Sequence, residues 1–251
     1  MKRIQFIGSR EKSDLVLYVG HLLANLGNRV IIVDATSNDE YKYSYLDKNE
    51  IDVICDFQNV EIMKDAKTYE VFNTKLQKAK EVEKDFAYIL VDANDSTHFE
   101  HWPTFDKTIY VSDTNRKTIM KDTEIINEFI DRTMEKSLLR VHIELPYFVD
   151  EAYLPYLLEG RVDFVPISET LEWTDEDLLR KQQMQFQKVI PYSKLSKEHK
   201  AFAQDIAIQI SNSSNTEIKI ATKAVNKGLL KRFKTQSLMP NKNSKDMKEV
   251  K

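Results

Sequence analysis

The first 34 residues constrain the chain most, because they spell a strand, a polar turn, an amphipathic helix and a second strand that stops at an acid. Lys2 to Ile7 becomes continuously apolar, and Gly8-Ser9-Arg10-Glu11-Lys12-Ser13 makes the turn. Asp14 to Leu26 then carries Leu15, Tyr18, Val19, Leu22, Leu23 and Leu26 at helical spacing, and Gly27 is a natural helix stop. Arg29 to Asp34 reads as a buried parallel strand, since β-branched residues run without alternation and end at a carboxylate. Together these form a βαβ unit whose first turn is polar, the place where such folds hold phosphate on a helix N-terminus.

That turn resembles the deviant Walker A loop of the ParA/MinD family of P-loop ATPases, Lys-Gly-Gly-x-Gly-Lys-Thr/Ser. Gly8 matches the first glycine, Arg10 the free position, Lys12 the phosphate lysine and Ser13 the magnesium hydroxyl. Ile7 stands in place of the signature lysine, and Ser9 and Glu11 in place of the other two glycines. A phosphate cradle needs glycine for close backbone approach, and Glu11 would face a triphosphate with like charge. Loss of the signature lysine removes a charge that stabilises phosphoryl transfer. Read without the resemblance, Lys12-Ser13 is a solvated helix start with Ser13 as its N-cap.

Further along, Phe86 to Asp92 is a second strand ending in an acid, and it resembles the family's Walker B strand with Asp92 on the magnesium-side acid. Asp34 matches the first acid of the family's Asp-x-Asp-Pro segment, in which Thr36 and Ser37 replace the later residues. Thr108 to Asp113 and Leu138 to Leu145 read as strands, with a helix over Asn115 to Glu135 between them. Asp163 to Glu169 resembles the closing strand, placing Pro166 against an adenine. The resemblance thus implies ATP at Gly8, Ser9, Arg10, Lys12, Ser13, Asp34, Asp92 and Pro166, and magnesium at Ser13, Asp34 and Asp92 if nucleotide binds. No cofactor is implied by the residues alone.

Other segments read more plainly. Tyr41, Tyr43 and Tyr45 alternate, which suggests an exposed edge strand or a partner surface, and Ile51 to Phe57 a short strand. Residues 60–84 have the look of a solvated covering helix, and Leu195 to Ile210 of a final amphipathic one. His142 is expected to be a packed strand residue, His98 and His101 to lie in a surface loop without a metal, and Cys55 to be a buried, inert thiol.

Charge divides the chain. From Thr216 onward nine Lys and one Arg stand against three acids, a net +7, which leaves −10 for the remainder of a chain whose net charge is −3. Ser211 to Asn215 is a Ser/Asn linker. The expected organisation is therefore a domain over 1–210, a linker over 211–215 and a basic tail with an amphipathic helix over 216–251. Its fold class is α/β, a doubly wound, mostly parallel sheet with helices on both faces. The tail stretch Leu229-Leu230-Lys231-Arg232-Phe233 resembles the membrane-targeting end of MinD; read by composition it is a basic tail or a protein-docking helix. No apolar run reaches the roughly 18 residues of a membrane span, so a cytoplasmic protein, peripheral at the inner face of a membrane, is expected.

Within the family the degraded loop is closest to the TadZ/CpaE branch. That implies a positioning or scaffold protein of a membrane-associated assembly of secretion, pilus or division type, a homodimer with protein partners and with negligible ATP hydrolysis. The alternative is a working partition or positioning ATPase. A DNA binder is disfavoured by the acidic body, and a tyrosine kinase of similar fold by the absence of tyrosine beyond Asn215.

Overall fold

The computed structural model describes residues 1–225 apart from 48, 50, 97–101, 146, 148, 212 and 224. Nine strands, β1 (Lys2–Ile7), β2 (Val30–Asp34), β3 (Ile54–Phe57), β4 (Val60–Met63), β5 (Tyr88–Asp92), β6 (Lys107–Asp113), β7 (Ser137–Glu144), β8 (Asp163–Pro166) and β9 (Leu171–Glu172), form one sheet. The order is β3-β4-β2-β5-β1-β6-β7-β8, with β9 also on β7. Among the described residues every pairing is parallel except β3 with β4.

The uninterrupted apolar strands are buried on both faces, and period-two alternation divides their side chains between two layers. Val30 and Ile32 of β2 face a core shared with helices α1 (Ser13–Asn25) and α7 (Lys197–Ser211). Ile31 and Val33 face the opposite layer, where Phe72 and Leu76 of α3 (Tyr69–Ala79) pack. Ile7 and Tyr110 meet α4 (Arg116–Thr133) on that same side. Gly20 lets α1 lie close on the sheet, since a Cβ there would stand 3.3 Å from Val60 and 3.4 Å from Ile32.

The doubly wound fold is as expected, and several local readings are corrected. Residues 60–84 are not one helix: β4 comes first, paired antiparallel to β3 through Gln58 and Asn59, both in the left-handed region, and α3 follows with Thr68 as its cap. The three tyrosines form no edge strand. They lie in and beside the short helix α2 (Glu40–Ser44), where the four-residue spacing buries Tyr41 and Tyr45 and leaves Tyr43 exposed. Two further helices, α5 (Tyr153–Leu157) and α6 (Asp175–Gln187), were not anticipated. In the structure residues 215–223 are helical, and Ile218, Ala221 and Val225 are buried in the main core. Cys55 is buried, as expected.

Candidate functional site

Connections leave β1 and β6 in opposite directions along the sheet, so a crevice opens outside their carboxyl ends, where open α/β sheets hold ligands. The loop after β1 forms one wall. Gly8 has φ of 126°, and a Cβ on it would stand 2.5 Å from the Val111 carbonyl oxygen, so glycine is required by both backbone and space. Lys12 then turns inward. Its Nζ lies 2.8 Å from Asp92 Oδ1 and donates to the carbonyl oxygens of Gly8 (2.9 Å) and Ala93 (3.0 Å), with the side chain 1% exposed. The ammonium is thus hydrogen-bonded to two backbone carbonyls and ion-paired with one buried carboxylate.

Ser13 is also engaged. Its hydroxyl donates to Glu11 Oε1 at 3.0 Å and lies 3.1 Å from the Tyr45 hydroxyl, which is left to donate to it. The other Glu11 oxygen accepts from Lys181 of α6. Burial disfavours the ammonium of Lys181, but Asp14 and Glu11 outweigh it and raise its pKa. Beneath the loop, the Ser9 N–H donates to Asp122 Oδ1 at 2.6 Å, and Tyr110 donates to Oδ2 at 2.7 Å. Burial lifts the Asp122 carboxyl to about 6 against those two hydrogen bonds.

Asp34 and Asp92 sit side by side in register at the ends of β2 and β5. Asp34 accepts from the Thr36 hydroxyl and N–H and from the Tyr41 N–H; burial nevertheless raises it to about 6. Tyr41 donates its hydroxyl to Asp92 Oδ2 at 2.9 Å. Glu40 stands near Glu11, and burial followed by the Glu11 charge pushes it up to about 7. The structure thus brings Gly8, Ser9, Lys12, Ser13, Asp34 and Asp92 together.

On the outer side a cleft of about 410 Å³ lies between the loop, α4 and α6. Arg10 reaches into its wall, bonded to Asp113 at 3.0 Å, with its guanidinium over the Trp173 ring at 4.9 Å. Pro166 is elsewhere: it is exposed on β8, opposite Arg140, and does not line this cleft. His142 is packed on β7 against Ser112 and Arg140, and burial, with the neighbouring arginine charges, lowers its pKa to about 4.

No protein-family model and no curated protein sequence matches the chain. Solved structures do. A chain of the MinC:MinD cell division protein complex from Aquifex aeolicus superposes with a TM-score of 0.58 at 13% identity, covering 85% of this chain and 97% of that one. This is the fold of MinD and the ParA ATPases. A ParA family ATPase from Chlorobium tepidum TLS gives 0.56 at 10% identity, with 82% and 97% covered. An ATP complex of a McdA variant from Cyanothece gives 0.55 at 12%, with 86% and 99% covered. Among the described residues no helix is long and apolar enough to cross a membrane. His98, His101 and the tail residues Leu229, Leu230, Lys231, Arg232 and Phe233 lie outside the described residues.

Sequence reasoning missed Asp122, Lys181, Trp173, Glu40 and the inward role of Tyr41. Only Tyr41 carried a signal, its four-residue spacing to Tyr45 just after an acid-tipped strand.

Proposed function

We propose that the chain is a positioning or scaffold protein of a membrane-associated assembly, of secretion, pilus or division type, that uses the MinD/ParA fold with little or no ATP turnover. The observation that carries this reading is the buried Lys12 ammonium, turned inward to pair with Asp92 and hydrogen-bonded to two backbone carbonyls. On this reading the residues present do not fit a magnesium triphosphate. Glu11, Glu40 and Asp122 place carboxyl groups around the loop, the Ser9 N–H is taken, and the Ser13 hydroxyl is held by Glu11. Like charge in a low-dielectric crevice opposes a polyanion. Dimerisation, a TadZ/CpaE-like role, a peripheral membrane position through the tail and recruitment of protein partners belong to the same proposal. One of the fold neighbours was solved in a complex with its partner MinC.

Calorimetric titration of the full chain with magnesium-ATP, run beside a phosphate-release assay, tests it. Little heat and no release above that of Lys12→Ala are expected. Turnover that disappears in Lys12→Ala overturns the reading and selects a working positioning ATPase, which the convergence of Lys12, Ser13, Asp34 and Asp92 favours. Binding gained in Ser9→Gly/Glu11→Gly assigns the loss to those two side chains.

A further inference from the structure

We propose that the cleft between α4 and α6 is a docking surface for an acidic, apolar-faced segment of a partner protein. This deepens the scaffold reading and rests on it. The cleft is lined by four cations, Arg10, Lys117, Lys121 and Lys181, and two carboxylates, Glu11 and Asp113. Asp113 is bonded to Arg10 and Glu11 to Lys181, so the surplus positive charge resides on Lys117 and Lys121. These lie one turn apart at the start of α4, both exposed and neither in an ion pair among the described residues. They stand out on a body whose charge is otherwise acidic.

The opposite wall supplies apolar contact. Leu178 lines the cleft, and α6 continues outward with Leu179 and Phe186, which are 51% and 86% exposed. At about 100° per residue, Leu179 and Phe186 turn away from Lys181 and the cleft side of α6, so within the cleft itself Leu145, Trp173 and Leu178 supply the apolar contact. Cations without an ion pair among the described residues, beside Leu145, Trp173 and Leu178 in one cleft, complement a segment that carries Asp or Glu on one side and large apolar groups on the other. A nucleotide fits less well, because the Arg10 guanidinium already covers the Trp173 ring.

The test pans the full chain against a random-peptide display library and titrates labelled winners by fluorescence anisotropy. Enriched peptides should combine acidic with large apolar residues. Affinity should fall about tenfold or more in Lys117→Glu/Lys121→Glu, as expected for loss of two charge pairs. A peptide with its acids replaced by lysine should bind that variant better than the wild type. Leu178→Asp, at the wall of the cleft, should weaken all of them. The lysines are exposed, so circular dichroism of the variants should be unchanged. Enrichment of basic peptides, enrichment of none, equal affinity for the charge variant, or displacement by inorganic phosphate overturns the proposal. ATP turnover would overturn the scaffold reading without altering the peptide titration, so the two failures are separable.

Discussion

Lys12 Nζ lies 2.8 Å from Asp92 Oδ1, with each side chain only 1% exposed, so the lysine of the first loop is paired with the acid of the fifth strand away from water. Removing either partner strands a buried charge, which typically costs about 3–5 kcal/mol. Lys12→Met and Asp92→Asn should each lower stability to that extent in urea denaturation. The double variant should recover part of the loss, and full additivity of the single losses would show that the two side chains do not act as a pair.

Glu40 gives a pH signature. Its carboxyl is raised to about 7 by burial and by Glu11, above an unfolded value near 4.3. The folded state therefore binds the proton more tightly, and the contribution of this group is present at low pH and lost as pH rises through about 7. Glu40→Gln does not titrate. Relative to that variant, wild-type stability should decline between about pH 5 and about pH 8; a flat difference across that range would show that neither burial nor Glu11 perturbs this carboxyl.

Ile218 is fully buried in the main core although it lies past the Ser/Asn segment. Ile218→Ala should cost about 2–5 kcal/mol, as other core truncations do. Ending the chain at Asn215 should lower the melting temperature, whereas ending it at Val225 should preserve the transition. Equal melting temperatures for the two truncations would mean that the helix over 215–223 does not pack on the domain.

At Gly8 any side chain meets the Val111 carbonyl, and the backbone sits at φ of 126°. Gly8→Ala should destabilise by about 1–3 kcal/mol or more from the strained conformation. Chemical denaturation measures it, and a neutral result would show that the loop relaxes freely.

Much of this was written locally. The strands β2 and β5 are continuous apolar runs ending in an acid, β1 and β6 carry apolar runs beside them, and their common direction brings Lys12, Asp34 and Asp92 together as the sequence suggests. What eluded reading has physical causes. Strand β4 is four residues long, and its hairpin turns on Gln58 and Asn59 without a glycine to mark it. Helix α6 points Leu178, Leu179 and Phe186 outward and buries only Asp177 and Met184, so its apolar pattern does not describe an inner face. The residues that hold the loop come from far along the chain: Asp122 is 113 positions from Ser9, and Lys181 is 170 from Glu11. Only the completed sheet makes them neighbours.

Pro166 lies on the outermost strand of the sheet, beside Ile167, whose N–H donates inward to the Arg140 carbonyl at 2.9 Å. By alternation the nitrogen of Pro166 faces outward, where an added strand would need a donor and finds none. That border lacks a donor at one ladder position, which disfavours edge-to-edge pairing of β8 with the same strand of a second copy.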